Sequence, residues 1–117
     1  LNMAHLMINV PKDYLDNYGL TSYRDLVYGK EEMLVTALLF AFGKMQGDKR
    51  NEGGVMASVI TKYGEGITVD ISEDLMKKWR DVDLGHVIQF TGKATLHERK
   101  NLIWTLIAVS KPTVITE

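Results

Sequence analysis

GITVDISEDLMKKWRDVDLGHVIQFTGKATLH, residues 66–97, has the residue patterns of a strand, a helix and a second strand, in that order. In its first part, Ile67, Val69 and Ile71 alternate with Thr68 and Asp70, which is the pattern of a strand with one buried face. The middle part has helical spacing, and the last part returns to β-branched and aromatic residues. The stretch therefore predicts a helix inserted between two strands, which restricts the possible sheet orders.

The central helix is predicted over residues 72–85. Ser72 is a good N-cap, and acidic residues follow it in the first turn, where negative charge suits the helix dipole. Leu75, Trp79 and Val82 recur at i, i+4 and i+7 and form one apolar stripe. Gly85 is a fitting end. We expect Trp79 to plug one end of the hydrophobic core.

Alternating or continuous apolar runs predict five strands in all. The first has apolar residues on both faces, and a helix is an alternative for its first half. The second and third form a hairpin that is closed by the turn Tyr-Gly-Glu-Gly at residues 63–66. Gly92 lies inside the fourth strand and marks a bend. The five strands cover residues 31–46, 55–63, 66–71, 86–99 and 101–110.

Five strands with one helix after the third have the connectivity of an OB-fold, a five-stranded Greek-key barrel. We therefore predict a mainly β protein of one domain, residues 1–117, with the barrel in residues 31–115. Gly92 would let the fourth strand curl and close the barrel. Residues 1–30 are predicted to be an N-terminal extension packed on the barrel. It holds a short strand near residues 5–10 and a short helix capped by Thr21 or Ser22.

Composition supports one globular domain, with 117 residues, 45% of them hydrophobic and 25% charged. The chain has no cysteine, which excludes disulfides and cysteine–zinc sites. No window approaches the roughly 18 apolar residues of a membrane span, and no signal-peptide pattern is seen, so we expect a cytoplasmic protein away from membranes. A net charge of −1 argues against binding nucleic acid by bulk charge, but it permits a local basic groove.

No constellation of residues predicts catalysis. The three histidines are far apart and lack metal-ligand spacing. Asp70, Glu73 and Asp74 are better explained as charges near a helix N-terminus than as an acid–base pair. The sequence has neither a Gly-x-Ser-x-Gly turn nor a phosphate-binding loop. We therefore predict a protein that is not an enzyme and has no metal or cofactor.

The basic residues predict a binding surface. In an OB-fold, oligonucleotides lie across strands two and three, flanked by the loop joining strands one and two and the loop joining strands four and five. Here these loops are GKMQGDKRNEGG, residues 43–54, and LHERKN, residues 96–101. The alternative is that these hairpin tips are merely polar and solvated. The candidate phosphate contacts are Lys44, Lys49, Arg50, Lys62, Lys93, Arg99 and Lys100.

Aromatic rings are the second requirement of a single-strand binder, because bases stack on them. Tyr63 is the best candidate, since it ends the second strand beside an exposed turn. Alternation places Phe40 and Phe42 on one face, and at least one of them is expected in the core. Phe42 and Trp104 remain candidates for stacking. Phe90 is in phase with apolar neighbours and is expected in the core.

The segment HVIQFTGKATLHERKNLIWTLIAVSKPTVI, residues 86–115, resembles the closing strands of single-stranded-DNA-binding proteins. The shared pattern is a strand with Phe90-Thr91-Gly92-Lys93 followed by a hairpin and an apolar strand. In its small size, its N-terminal extension and its lack of cysteine, the sequence is most similar to the compact single-stranded-DNA-binding proteins of bacteriophages, the lactococcal phage type in particular. The resemblance covers about residues 31–115.

The resemblance implies an OB-fold, a homo-oligomer (dimer or tetramer), and sequence-tolerant binding of single-stranded DNA in phage replication and recombination. It also implies the host-cell cytoplasm as location, and a recombinase or replication proteins as partners. Bacterial housekeeping relatives recruit partners through a long acidic-tipped tail. These residues end in KPTVITE just after the last strand, so recruitment through such a tail is not expected. The alternative function is a structural or protein–protein assembly module built on a small β-barrel.

Overall fold

The fold is known from a computed structural model, which describes residues 6–7, 19–28, 32–44, 55–97 and 103–115. The strands of this part are β1 (Leu6–Met7), β2 (Met33–Lys44), β3 (Val55–Ile60), β4 (Glu65–Ile71), β5 (Val87–His97), β6 (Ile103–Ala108) and β7 (Thr113–Val114). The helices are α1 (Tyr23–Tyr28) and α2 (Glu73–Arg80). The long first strand of the barrel is β2, and the helical alternative for its first half is wrong.

Five of the strands form a closed barrel. Strands β2, β3 and β4 pair antiparallel in sequence order. β4 then pairs parallel with β6, β6 pairs antiparallel with β5, and β5 returns to β2. Helix α2 lies between the third and fourth strands of this barrel. The predicted fold class is therefore confirmed, since the protein is mainly β and has the strand order of an OB-like barrel.

The register around the barrel is strongly staggered. Starting from Gly92 and following paired residues, the path advances five positions along β2, three along β4 and two along β6 before it meets Gly92 again. Such a stagger tilts the strands against the barrel axis and allows a short sheet to close on itself. β5 serves both sides, because its first half pairs with β2 and its second half pairs with β6.

Gly92 is the residue at which β5 changes partner. It is opposite Met33 on β2 and opposite Ala108 on β6. A Cβ atom at this position would lie 3.1 Å from Cε2 of Phe90 and 3.2 Å from Cδ1 of Leu106, both of which are buried. The missing side chain thus leaves room for Phe90 and Leu106 at the point where β5 passes from one partner strand to the other.

Gly92→Ala is expected to destabilise the protein by about 1–3 kcal/mol, because the added methyl group overpacks the core. Urea unfolding followed by circular dichroism measures the change. Gly43→Ala is the matched control. Gly43 also lies in a barrel strand, β2, but a Cβ atom there would meet only Met56 Cε, at 3.9 Å. The control should be close to neutral. Equal stability of the two variants would show that the Gly92 site can accept a side chain.

Aliphatic side chains from all five barrel strands fill the interior. Val35, Val59, Val69, Ile88 and Leu106 are fully buried. Successive side chains of a strand point to opposite faces, so the residues beside them face outward. Two of these outward residues, Ile60 and Val87, are fully buried as well. Phe90 joins the interior residues with 2% exposure, which confirms its prediction as a core residue.

Helix α2 covers one end of this interior with Trp79, which is 0% exposed. The indole ring lies edge-on to Phe90, with ring centroids 4.7 Å apart, and its Nε1–H donates to the Ser110 carbonyl at 3.0 Å. The predicted plug is confirmed. The predicted end at Gly85 is wrong, since the helix stops at Arg80 and Gly85 follows in a turn with φ +92°. Ser72 occupies the N-cap position without a capping bond from its side chain.

The N-terminal residues that the structure describes pack against the barrel. Ser22 caps α1, because its Oγ accepts the Asp25 N–H at 3.2 Å. Leu26 of this helix is fully buried and belongs to the same core. Strand β1 pairs with the start of β4, where Met7 is opposite Glu65. β1 therefore meets the barrel at the β3–β4 hairpin, whereas α1 packs mainly against β5.

Candidate functional site

The tip of the β3–β4 hairpin is the turn of residues 61–64. The Thr61 N–H donates to the Glu65 carbonyl at 2.9 Å, and the Gly64 N–H donates to the Thr61 carbonyl at 3.1 Å. Gly64 has φ +79°, a conformation that glycine adopts without steric cost. The turn begins two residues earlier than predicted, so Tyr63 lies within the turn rather than at the end of a strand.

Lys62 and Tyr63 project together from this turn. Both are exposed, Tyr63 to 63%. The Lys62 Nζ lies 5.7 Å from the centroid of the Tyr63 ring, within the range of a cation–π contact. The turn therefore offers an aromatic surface and a positive charge side by side, which are the two groups that a nucleotide needs for stacking and for its phosphate.

Lys93 lies elsewhere on the barrel, on the exposed outer face of β5. Three strand pairings connect it to residues on the neighbouring strands. Lys93 is opposite Ile107 on β6, Ile107 is opposite Asp70 on β4, and Asp70 is opposite Met56 on β3. These four residues form a row across four strands, called the outer row below. At about 4.8 Å per strand, the row is about 14 Å long. It carries a cation at one end and a mostly buried carboxylate near its middle.

Hydroxyl side chains lie beside the outer row. Ser58 on β3 is opposite Thr68 on β4, and Thr95 on β5 is opposite Thr105 on β6. Thr68 and Thr105 each precede a residue of the β4–β6 pair, so they are neighbours as well. Thr105 is buried, whereas Ser58, Thr68 and Thr95 are half-buried and offer neutral hydroxyl groups on this face. Of the candidate cations, Lys93 lies on this face and Lys62 lies in the turn beyond its end.

A β-bulge in β2 changes the prediction for the two phenylalanines. The pairing with β3 shifts register between Leu39 and Ala41, and Phe40 is the extra residue. Phe42 is consequently opposite the buried Ala57 and packs half-buried against the core, whereas Phe40 is 49% exposed. The prediction that both rings share one face is wrong, although the expectation that at least one contacts the core is confirmed. Phe42 is poorly placed for stacking on a base.

Six of the candidate contacts lie wholly or partly outside the described residues. Lys44 is the last residue of β2, opposite Val55, but its side chain is outside the description. The same holds for Trp104, which is opposite Leu96 in the β5–β6 pair. The other four fall in the two loops for which the sequence predicts binding, and they remain predictions: Lys49, Arg50, Arg99 and Lys100.

Two features of this site are missed by sequence reasoning. The first is the bulge at Phe40, which no glycine or proline marks and which separates this exposed ring from the half-buried Phe42. Glu65 accepts hydrogen bonds from the Tyr23 N–H and the Thr61 hydroxyl, and Tyr23 is 42 residues away in the chain. A contact of that separation leaves no local pattern, so only the fold can show it.

Within the described ranges, no group of three or more histidine, aspartate or glutamate side chains could hold a metal ion. Neither α1 nor α2 has the length and apolar content needed to cross a bilayer. In comparisons with known proteins, the chain matches no protein-family model and no curated sequence.

Proposed function

We propose that the protein binds single-stranded DNA without catalysis and with little preference for base sequence. The observation that carries the proposal is the exposed Lys62–Tyr63 pair at the tip of the β3–β4 hairpin of an OB-like barrel. In OB-folds, the corresponding strands form the oligonucleotide-binding face. An aromatic ring accepts any base, because every base has a π-face, so such a site tolerates many sequences.

The outer row indicates how a strand would lie. Lys93 lies at one end of the row and is exposed, so the backbone is expected to follow the cations at the margins. The bases would then lie over the hydroxyl groups of Ser58 and Thr68, which donate and accept hydrogen bonds with any base. The two loops at residues 43–54 and 96–101 would supply the remaining phosphate contacts.

A function in DNA replication or recombination follows from binding of this kind, with the cytoplasm as location, of the host cell if the protein is phage-encoded. A homo-oligomer and contacts with a recombinase or replication proteins belong to the same proposal. They are supported by the resemblance of residues 86–115 to single-stranded-DNA-binding proteins.

The proposal predicts salt-sensitive binding to oligo-dT. Each phosphate contacted by a lysine or arginine lowers the slope of log K against log salt by about 0.7 for single strands. Fluorescence titration with dT and with mixed-sequence oligonucleotides over a salt series measures affinity, slope and base preference. We expect a clearly negative slope and similar affinities for the different sequences. Absence of binding at low salt would overturn the proposal.

Exposed apolar side chains favour a second candidate, a module that assembles with another protein. Leu34 on β2 is 60% exposed, and Phe40, Ile107 and Val109 are exposed as well. Large apolar side chains in water often mark a protein–protein contact. The same titration separates the two candidates, because an assembly module should ignore oligo-dT at every salt concentration.

A further inference from the structure

Thr21 joins the first barrel strand to the candidate binding turn. Its N–H donates to the Thr36 carbonyl at 2.8 Å, and its Oγ1 accepts the Thr36 N–H at 2.9 Å. Its own carbonyl accepts the Lys62 N–H at 2.9 Å. β3 pairs with β2 only from Leu38 onward, so Thr21 occupies the edge of β2 just before that pairing begins.

Glu65 makes a second connection at the same place. Its Oε1 accepts the Tyr23 N–H at 3.1 Å and the Thr61 hydroxyl at 2.7 Å. Thr61 is fully buried, and its hydroxyl also contacts the Glu65 carbonyl at 3.2 Å. One carboxylate thus links the start of α1 to the first residue of the turn, while β1 pairs with the backbone of Glu65 itself.

We infer that residues 19–28 form a brace that positions the Lys62–Tyr63 turn for its ligand, and that Glu65 is the positioning residue that holds the brace to the turn. The inference rests on the proposed function, because it concerns the same site. It assigns a role to part of the N-terminal extension, for which the sequence predicts only packing on the barrel.

The brace acts on the entropy of binding. Lys62 and Tyr63 have their side chains in solvent, so the backbone of the turn decides where the ring and the charge lie. The Lys62 N–H donates to the Thr21 carbonyl, and the Thr61 hydroxyl donates to Glu65 Oε1. These two hydrogen bonds fix the first two residues of the turn, Thr61 and Lys62. A preorganised turn has less freedom to lose when a nucleotide stacks on it.

Removing the Glu65 side chain offers a test, because a positioning role and a purely electrostatic role predict opposite changes in the affinity for oligo-dT. If the carboxylate mattered only as a negative charge near bound phosphates, removing the charge would strengthen binding in every variant. If it positions the turn, Glu65→Ala should weaken binding to oligo-dT about five- to tenfold, since one or two side chains must then be ordered by the ligand. Glu65→Gln keeps an acceptor oxygen for Tyr23 and Thr61 and should bind at least as tightly as the wild type.

The experiment is a dT titration of the wild type, Glu65→Ala and Glu65→Gln, together with amide hydrogen exchange of each free protein. Faster exchange of the Lys62 and Tyr23 amides in Glu65→Ala alone, with weakened binding in that variant alone, supports the inference. Tighter or unchanged binding by Glu65→Ala overturns it and leaves the proposed function standing. Failure of the wild type to bind overturns the proposed function and the inference with it.

Thr61→Val keeps the test decisive if Glu65→Ala does not fold. The substitution removes the hydroxyl that donates to Glu65 and keeps the volume of this buried side chain. We expect about two- to fivefold weaker dT binding with the charge of the site unchanged. Wild-type affinity in folded Thr61→Val would also overturn the inference.

Discussion

Replacing Trp79 with alanine is expected to destabilise the barrel by about 3–5 kcal/mol, the range for truncation of a large buried aromatic side chain. The indole is 0% exposed, and its loss would remove the edge-on contact with Phe90. It would also leave the Ser110 carbonyl without the Nε1–H that now donates to it at 3.0 Å.

Urea unfolding followed by circular dichroism measures the effect on stability. Trp79→Phe is the control, because it keeps an aromatic ring near Phe90 and loses only the donor and part of the volume. We expect this control to be destabilised by about 1–3 kcal/mol, mainly through the unsatisfied Ser110 carbonyl. A loss of under 1 kcal/mol in Trp79→Ala would contradict the role of Trp79 as the plug of the barrel.

The Trp79→Phe variant also distinguishes an effect on folding from an effect on binding. β4 runs from the Lys62–Tyr63 turn at one end to α2 at the other, and its seven residues are about 23 Å long. Trp79→Phe should therefore keep the wild-type affinity for oligo-dT wherever it is folded. Substitution of an exposed side chain of the turn, Lys62 or Tyr63, should do the reverse and change affinity with little change in stability.

The barrel could be predicted from the sequence because its signals are local. Alternation in residues 67–71 and helical spacing from Leu75 to Val82 each arise within one element. Once a helix follows the third of five strands, few sheet orders remain, and the OB-like order is the one observed. Trp79 and Phe90 were predictable as core residues for the same reason, since both are in phase with their apolar neighbours.

The site was less predictable because tertiary contacts define it. A single extra residue at Phe40 reverses the faces of the residues after it, and nothing in the composition of β2 reveals the bulge. The link from Glu65 to Tyr23 exists only because the chain returns to the same end of the barrel. Lys62 and Tyr63 could be paired from the sequence because they are adjacent in one turn.

Lys62 and Tyr63 also allow the proposed function to be tested by two variants, one that removes a stacking ring and one that removes a positive charge. Tyr63→Ala is expected to weaken binding to oligo-dT by about 5- to 150-fold, which corresponds to the 1–3 kcal/mol of one stacked base. This loss should be similar at all salt concentrations, since a ring contact releases no counterions. Lys62→Ala should instead make the slope of log K against log salt shallower by about 0.7, the effect of one phosphate contact.

The double variant should combine both effects and bind oligo-dT at least as weakly as Tyr63→Ala, because the two side chains contact one another and their energies need not add. Tyr63→Phe controls for the ring and should bind like the wild type. Lys78→Ala controls for the charge, because this exposed lysine lies on α2 at the far end of β4. If Lys78→Ala and Lys62→Ala change the slope equally, the turn makes no specific phosphate contact. If Tyr63→Ala binds like Tyr63→Phe, the exposed ring is not a stacking platform, and the binding surface must lie in the two loops instead.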